Sequence, residues 1–247
     1  MSTKDLIRKA KKAHRKEGTL YILKKGVELF SKIVKNSVIL EYYKIFKSND
    51  TFEFNGSRYN YFYSLYGATW RTERAVEIPI VWKFIDKSSR ANEKILEVGN
   101  VLSYRFNVSH DILDKYEETN GIINEDVVDF DRGYKYDLIV SISTLEHVGF
   151  DEEVKDPLKI VKSIENLKRL LSNNGKLVVT LPLGQNIEMD GLIAKKILIF
   201  DKMFYMKREN GNNWIQLKEI NPYDVVYNDK IPTANAIVVG ISNGPQS

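Results

Sequence analysis

The 247-residue sequence contains no cysteine and only three histidines, which lie far apart at positions 14, 110 and 147. Disulfide bonds, thiolate metal ligands and a cysteine nucleophile are therefore excluded, and scattered histidines do not make a zinc cluster. No run approaches the ~18 apolar residues that a membrane-spanning helix needs, and the first residues lack the apolar core of a signal peptide. We therefore expect a cytoplasmic protein without a metal ion.

The composition is that of a folded domain, with 43% hydrophobic and 28% charged residues. The net charge of +4 is unevenly distributed along the chain. Residues 1–50 carry 13 Lys and Arg against 5 Asp and Glu, whereas the rest carries 24 against 28. A basic segment therefore precedes a mildly acidic body.

The basic segment has the pattern of an amphipathic helix. Apolar residues recur at positions 20, 23, 27, 30 and 34 with lysines on the other side, and residues 4–16 hold seven basic residues. We expect residues 1–50 to be a helical extension. Its basic face has three interpretations: a solvated face packed on the body, peripheral contact with an anionic membrane, or contact with nucleic acid.

Residues 51–69 form an aromatic segment in which Asn55-Gly56 lies between alternating aromatic residues. This pattern predicts a β-hairpin. The hairpin is either a cap over the core or a stacking wall for a flat acceptor such as a sugar ring. Residues 72–86 then predict a helix, with Pro79 near a first turn or at a kink.

From Lys94 onward, the pattern predicts strands that alternate with helices, with short apolar runs as the strands. A helix is predicted at about 157–171, ended by Asn174-Gly175. Strands that are joined by helical crossovers predict a parallel sheet with helices on both faces. The predicted strands are 95–99, 110–114, 122–126, 136–141 and 176–181, followed by an antiparallel pair, 202–207 and 214–218, and a last strand, 236–241.

Ligands of open parallel sheets bind beyond the carboxyl ends of the strands. Residues 97–100, Asp114, Asp126, 141–147 and 182–185 occupy these ends in the predicted sheet. Their types suit a nucleoside, because a carboxylate at the position of Asp114 can accept hydrogen bonds from both ribose hydroxyls. Asp126 is a candidate for the adenine edge.

Three motifs give this region a family resemblance: Ile95-Leu96-Glu97-Val98-Gly99, residues 136–141 with Leu145-Glu146-His147-Val148, and residues 170–179. In order and spacing they resemble the class I S-adenosylmethionine-dependent methyltransferases, over roughly residues 94–185. The resemblance implies an α/β, Rossmann-like three-layer sandwich over residues 70–247. It also implies a mostly parallel seven-stranded sheet with an antiparallel C-terminal strand, S-adenosylmethionine as cofactor, and methyl transfer to a small-molecule or glycan-like acceptor.

The same resemblance assigns roles to single residues. Arg74 or Arg71 would clamp the carboxylate of the cofactor. The resemblance places Glu97 and Gly99 at the methionine part of the cofactor and Asp114 at its ribose. It places Asp126 and the Val127 amide at the adenine, and Ser141 to Ser143 at the sulfonium side.

The loop after the first strand departs from the family pattern. Val101 and Ser103 stand where the family has its second and third glycines. Any position that needs a positive φ must therefore be Gly99 or Asn100. The loss argues more strongly against a dinucleotide oxidoreductase, whose pyrophosphate needs a glycine-rich turn.

His147 is the candidate general base, with Glu146 beside it, because an imidazole titrates near neutral pH. In the alternative interpretation this segment simply starts a helix, and Asp151 to Glu153 are a solvated loop rather than the rim of an acceptor pocket. Two other functions stay open: a non-catalytic protein of this fold, and an RNA-associated methyltransferase. No DNA binding is expected, because the body is acidic.

Overall fold

A computed structural model describes residues 3–90, 93–228 and 233–246; the side chains of residues 3–20, 22, 23, 89 and 90 lie outside this description. The chain divides into two compact units, of which one ends at Lys47 and the other begins at Ser48. The sequence predicts boundaries after residues 50 and 69. In the structure the aromatic segment is grouped with the larger unit.

The first unit is one α-helix, α1, over Thr3–Phe46. It contains no proline, so nothing breaks the backbone ladder, and the helix extends well beyond the predicted apolar pattern at positions 20–34. The predicted basic side chains at residues 4–16 lie outside the described side chains. Across the described part of the chain, no helix is both long enough and apolar enough to cross a membrane.

The second unit begins with a hairpin and continues as alternating strands and helices. The helices are α2 (Arg74–Arg90), α3 (Lys159–Arg169) and α4 (Ile187–Ala194). The strands are β1 (Thr51–Phe54), β2 (Ser57–Asn60), β3 (Ile95–Val98), β4 (Asp111–Leu113), β5 (Ile122–Ile123), β6 (Tyr136–Ile142), β7 (Leu171–Pro182), β8 (Lys202–Arg208), β9 (Trp214–Leu217) and β10 (Ala236–Asn243).

The main sheet has the order β5-β4-β3-β6-β7-β10-β8-β9. The five strands from β5 to β7 pair in parallel, and β10 runs antiparallel to both β7 and β8. This order confirms the Rossmann-like α/β fold with its antiparallel C-terminal strand. The sheet has eight strands rather than seven, because β9 pairs with β8 at the edge, as predicted for the antiparallel pair 202–207 and 214–218.

Helices cover both faces of the sheet, which makes three layers. Successive residues of a strand point to opposite faces, so Leu138 and Val140 join α2 in one core cluster. Ile139 joins the apolar sides of α3 and α4 in the other. The central strands are buried on both faces and read as continuous apolar runs, which is why the sequence identifies them.

Two predictions about helices are wrong. Residues 99–110, 114–121 and 124–135, all described, connect β3, β4, β5 and β6 by turns and loops without an α-helix. These short connections leave little room for a helix with its turns. In addition, α3 ends at Arg169, and Asn174-Gly175 lies within the span of β7, whose register with β6 shifts there.

The aromatic hairpin and α2 are joined through the backbone. The turn at Asn55-Gly56 has positive φ angles of 48° and 69°, as an Asn-Gly hairpin requires. Pro79 lies inside α2 and cannot donate to the Ala75 carbonyl; the Phe62 N–H donates to that oxygen instead, at 3.0 Å. Phe52 and Phe54 are buried in the α2-side core, which favours the cap interpretation of the hairpin.

Candidate functional site

A cavity of about 560 Å³ lies at the carboxyl ends of β3, β4 and β6. Strands β4 and β6 flank β3 on opposite sides, so this is where the strand order reverses, the usual ligand position of an open α/β sheet. The lining residues are Val98, Gly99, Leu113, Asp114, Lys115, Tyr116, Glu125, Asp126, Val127, Ser143, Thr144, His147, Val148, Asp151 and Glu152.

Gly99 forms the floor of the cavity directly after β3. Its φ is +84°, and its N–H donates to the Leu113 carbonyl at 2.8 Å. A Cβ at this position would lie 2.2 Å from Oγ1 of Thr144. Both the backbone angle and the close approach therefore require glycine, which agrees with the predicted special conformation at Gly99 or Asn100.

Glu97 holds the loop that follows. Its buried Oε1 accepts hydrogen bonds from the N–H groups of Val101 and Leu102, each at 2.8 Å, and its Oε2 lies 2.9 Å from His110 Nε2. Glu97 is not among the lining residues. A carboxylate thus fixes the loop at Val101 and Leu102, and Glu97 supports Gly99 from outside the cavity lining.

Asp114 lies at the end of β4 and faces the cavity. Its Oδ1 accepts from the N–H groups of Tyr116 and Glu117 at 2.9 and 3.0 Å. The only bond to Oδ2 in the described residues is a long one of 3.4 Å from the Asn100 N–H. This oxygen retains accepting capacity toward a ligand. Asn100 itself is outside the lining, and its side chain donates to Glu117 at 2.8 Å.

Asp126 and Val127, which follow β5, also line the cavity. Asp126 Oδ2 accepts from the ammonium groups of Lys115 and Lys159 at 2.8 and 2.7 Å. Burial alone would raise the pKa of the Asp126 carboxyl, but these lysines outweigh it and lower the pKa to about 2. A ligand amino group at Asp126 must therefore share the carboxylate with two cations.

Ser141 and Ser143 differ in position although they are two residues apart. Ser141 is buried and donates its hydroxyl to the Val98 carbonyl at 3.0 Å, so it joins β6 to β3 and does not line the cavity. Ser143 has a positive φ of 38°, lines the cavity, and donates to Glu77 Oε1 at 2.5 Å.

Arg74 supports the end of β6 from α2. Its guanidinium donates to the carbonyls of Ile142 and Ser143 at 2.7 and 3.3 Å and lies 3.6 Å from Glu77 Oε2. Burial raises the pKa of the Glu77 carboxyl, and the Arg74 charge only partly offsets this. Arg74 is outside the cavity lining. Its donors are engaged by protein carbonyls rather than turned toward a ligand carboxylate.

Glu146 and His147 follow β6 in a short 3-10 helix over Leu145–His147. Glu146 is buried, burial raises the pKa of its carboxyl, and its Oε2 has no hydrogen-bond partner among the described residues. His147 lines the cavity, with its Nδ1 2.5 Å from Asp151 Oδ2 and its Nε2 3.5 Å from Glu146 Oε1. A carboxylate on one imidazole nitrogen leaves the other to exchange a proton.

The structure thus brings six of the predicted residues into one cavity: Gly99, Asp114, Asp126, Val127, Ser143 and His147. Glu97, Asn100, Ser141, Arg74 and Glu146 lie outside its lining. Lys115 and Tyr116 also line the cavity and are not among the predicted residues. Their place directly after strand ends, beside predicted site residues, is the signal that would have identified them.

The strand order defines a Rossmann-like α/β protein, and the cavity lies at the switch point of its sheet. No family model and no curated protein sequence matches the chain. Among solved structures, the chain is similar to the N-methyltransferase NodS from Bradyrhizobium japonicum WM9, in complex with S-adenosyl-L-homocysteine. That match has 12% identity and a TM-score of 0.42, and it covers 72% of this chain and 92% of NodS.

Two further solved structures are similar at the same level. An rRNA methylase from Streptococcus thermophilus has 13% identity and a TM-score of 0.40, with 68% of this chain and 96% of that one covered. The sugar N-methyltransferase KedS8 from Streptoalloteichus sp ATCC 53650 has 10% identity and a TM-score of 0.35, with 70% and 88% covered. The fold assignment rests on this chain's own strand order.

Proposed function

We propose that the chain transfers a methyl group from S-adenosylmethionine to a small-molecule or glycan-like acceptor. The observation that carries this proposal is the cavity at the switch point, where Asp114 presents a carboxylate oxygen with spare accepting capacity. A nucleoside at this edge of the sheet needs such an acceptor for its ribose hydroxyls.

The residues present fit this cofactor. Asp114 would hold the ribose, Asp126 and Val127 the adenine, and Ser143 with Thr144 the end that carries the sulfur. Gly99 and Thr144 both line the cavity, and the absence of a side chain at Gly99 allows the loop to pack directly on Thr144. S-adenosylmethionine carries no phosphate, which agrees with a first loop that has lost its glycine-rich pattern and opens no helix.

The chemistry that the bound cofactor supplies is an electrophilic methyl group on a sulfonium. The protein contributes orientation and the exclusion of water, which give most of the acceleration of an in-line displacement. His147 takes up a proton from an acceptor hydroxyl or ammonium, and Asp151 orients its imidazole from Nδ1. Glu146, a buried carboxyl whose pKa is raised by that burial, supports His147 from 3.5 Å on the Nε2 side.

Isothermal titration calorimetry of the full chain with S-adenosylmethionine and S-adenosylhomocysteine tests the proposal. We expect heat with both ligands, and a loss of affinity of about tenfold or more for Asp114→Ala, since a charged hydrogen-bond acceptor is removed. Asp131→Ala is the matched control, because Asp131 also bonds the N–H of its own turn but lies outside the cavity lining. No heat with either ligand would refute the proposal.

His147 has its own test, in which formation of S-adenosylhomocysteine is followed with a panel of amine and hydroxyl acceptors. We expect His147→Asn to slow this formation about 100-fold while leaving the affinity for S-adenosylhomocysteine unchanged. An unchanged rate would show that the acceptor needs no base at this position.

A second candidate function is a non-catalytic protein of the same fold. It is favoured by one observation: Glu97 and Arg74, both expected at the ligand, bond within the protein. Binding without turnover on any acceptor would support this alternative.

A further inference from the structure

Helix α1 exposes a continuous row of large apolar side chains, which we call the apolar stripe. Its members are between 46% and 69% exposed. They are Val27, Phe30, Val34, Val38, Tyr42 and Ile45. Single exposed apolar residues are ordinary, but a row on one helix face marks an interaction surface.

The spacing of the apolar stripe favours a flat surface over a partner helix. Val27 and Ile45 are 18 residues apart, which is about five whole turns at ~3.6 residues per turn, so the stripe runs straight along the axis. A coiled coil needs a period of ~3.5. Continued with that period from Val27, the seam would meet Ser37, Glu41 and Lys44.

The charges beside the stripe are positive. Lys24 and Lys35 precede Val27 and Val38 by three residues, so they flank the stripe on the next ridge of the helix. Residues 21–47 contain six lysines and two glutamates. Both glutamates are already paired within the helix, Glu28 with Lys25 at 2.9 Å and Glu41 with Lys44 at 3.1 Å.

We propose that α1 lies on an anionic phospholipid surface, with the apolar stripe entering the boundary between headgroups and acyl chains. An apolar face bordered by lysines, on a helix lying in the membrane plane, is the arrangement of an interfacial anchor. The seven basic residues at positions 4–16 add to the attraction for anionic headgroups. A second copy of α1 would bring like charges together, and nucleic acid would leave the stripe exposed to water.

The experiment is flotation of the full chain with phospholipid vesicles. We expect binding to vesicles with about one-third phosphatidylglycerol in phosphatidylcholine, and little binding to pure phosphatidylcholine, because lysines near the surface add to the binding. Phe30→Ser should lower the partition coefficient about tenfold, since a large apolar side chain no longer enters the bilayer. The pair Lys24→Gln and Lys35→Gln should lower it by about the same factor.

Leu29→Ser is the matched control, because Leu29 is 57% exposed on the same helix but lies off the stripe. Val38→Ser is a second stripe variant, and circular dichroism verifies the helix content of each. Absence of flotation with anionic vesicles overturns the proposal, as does an equal loss for Leu29→Ser and Phe30→Ser. So does a dimer in sedimentation that Phe30→Ser dissociates, or salt-dependent RNA binding without vesicle binding.

Discussion

The two units of the chain differ in how far their apolar side chains are exposed. In the unit that begins at Ser48, Ile139 and its neighbours on the central strands are fully buried between helices. In α1, Val27 and Phe30 are more than two-thirds exposed. The difference teaches that the same residue types form a core in one unit and an exposed surface in the other.

The units also differ in how they use charge. The larger unit buries the carboxyl groups of Glu77, Glu97 and Glu146 behind its cavity, and two of these have raised pKa values because of burial. The lysines of helix α1 whose side chains are described, from Lys24 to Lys44, are exposed to water. Buried acidic groups shape a site by fixing loops and strand ends, whereas solvated cations act on a partner outside the molecule.

The largest expected difference is in the packing itself. Ile139→Ala should lower the free energy of unfolding by about 3–4 kcal/mol, because it removes a buried side chain and leaves a cavity. Val34→Ala in α1 should change it by no more than about 0.5 kcal/mol. Urea unfolding followed by circular dichroism measures both. Similar losses for the two variants would mean that the apolar stripe is packed within the protein.

Glycine substitutions give the next largest contrast. Gly99→Ala should lower the free energy of unfolding by about 3 kcal/mol, because a φ of +84° is unfavourable for alanine and its Cβ would clash with Thr144. In Gly26→Ala the new Cβ meets nothing within 4 Å, so a gain of about 1 kcal/mol in helix stability is expected.

The double variant Gly99→Ala with Thr144→Ala separates the two causes by thermal unfolding. Compared with Gly99→Ala, the double variant should regain the part of the stability that the clash removes. The part that the unfavourable backbone angle removes should remain lost. No recovery would mean that Thr144 does not constrain this position.

The sequence predicts the parts of this site that follow from strand ends. Gly99, Asp114 and Ser143 lie in the cavity because β3, β4 and β6 end there, and apolar runs identify those strands. It does not predict what depends on contacts between distant residues. That Arg74 bonds the Ile142 carbonyl, or that the Glu97 carboxylate closes its own loop, is decided by packing that no local pattern encodes.

The buried Asp190 gives the larger unit a pH dependence. Its Oδ2 accepts from the Gly184 N–H at 2.9 Å, its Oδ1 has no hydrogen-bond partner among the described residues, and burial raises its pKa to about 6. The folded state therefore binds this proton more tightly than the unfolded state. Its contribution to stability is complete below pH ~4 and is lost as the pH rises through about 6.

Asp190→Asn should consequently raise the free energy of unfolding by about 2 kcal/mol at pH 8 and leave it nearly unchanged at pH 4. Glu28→Gln on α1 is the comparison, with an effect of about 0.3 kcal/mol or less at either pH. Urea unfolding at the two pH values gives the difference. A gain for Asp190→Asn that is equal at pH 4 and pH 8 would contradict the assigned titration.

The smallest expected difference in stability is between the loss of two ion pairs, one in each unit. Lys159 at the cavity lies 2.7 Å from Asp126 and 2.6 Å from Glu152, with side chains 20% exposed or less. Lys44 and Glu41 on α1 are 50% and 60% exposed. Lys159→Met should lower the free energy of unfolding by about 1 kcal/mol, because several charges share one network. Lys44→Met should lower it by about 0.3 kcal/mol.

The two pairs should also respond differently to acid and salt. The low pKa of Asp126 means that its stabilising effect is present above pH ~4 and is lost as the pH falls through about 2. Added salt should remove most of the small Lys44 effect but little of the Lys159 effect, because partly buried charges are screened less. If Lys159→Met lowers the free energy of unfolding as little as Lys44→Met does, and with the same salt dependence, the ion-pair network does not stabilise this part of the cavity. A ligand could then replace the lysines at Asp126 with little loss of stability.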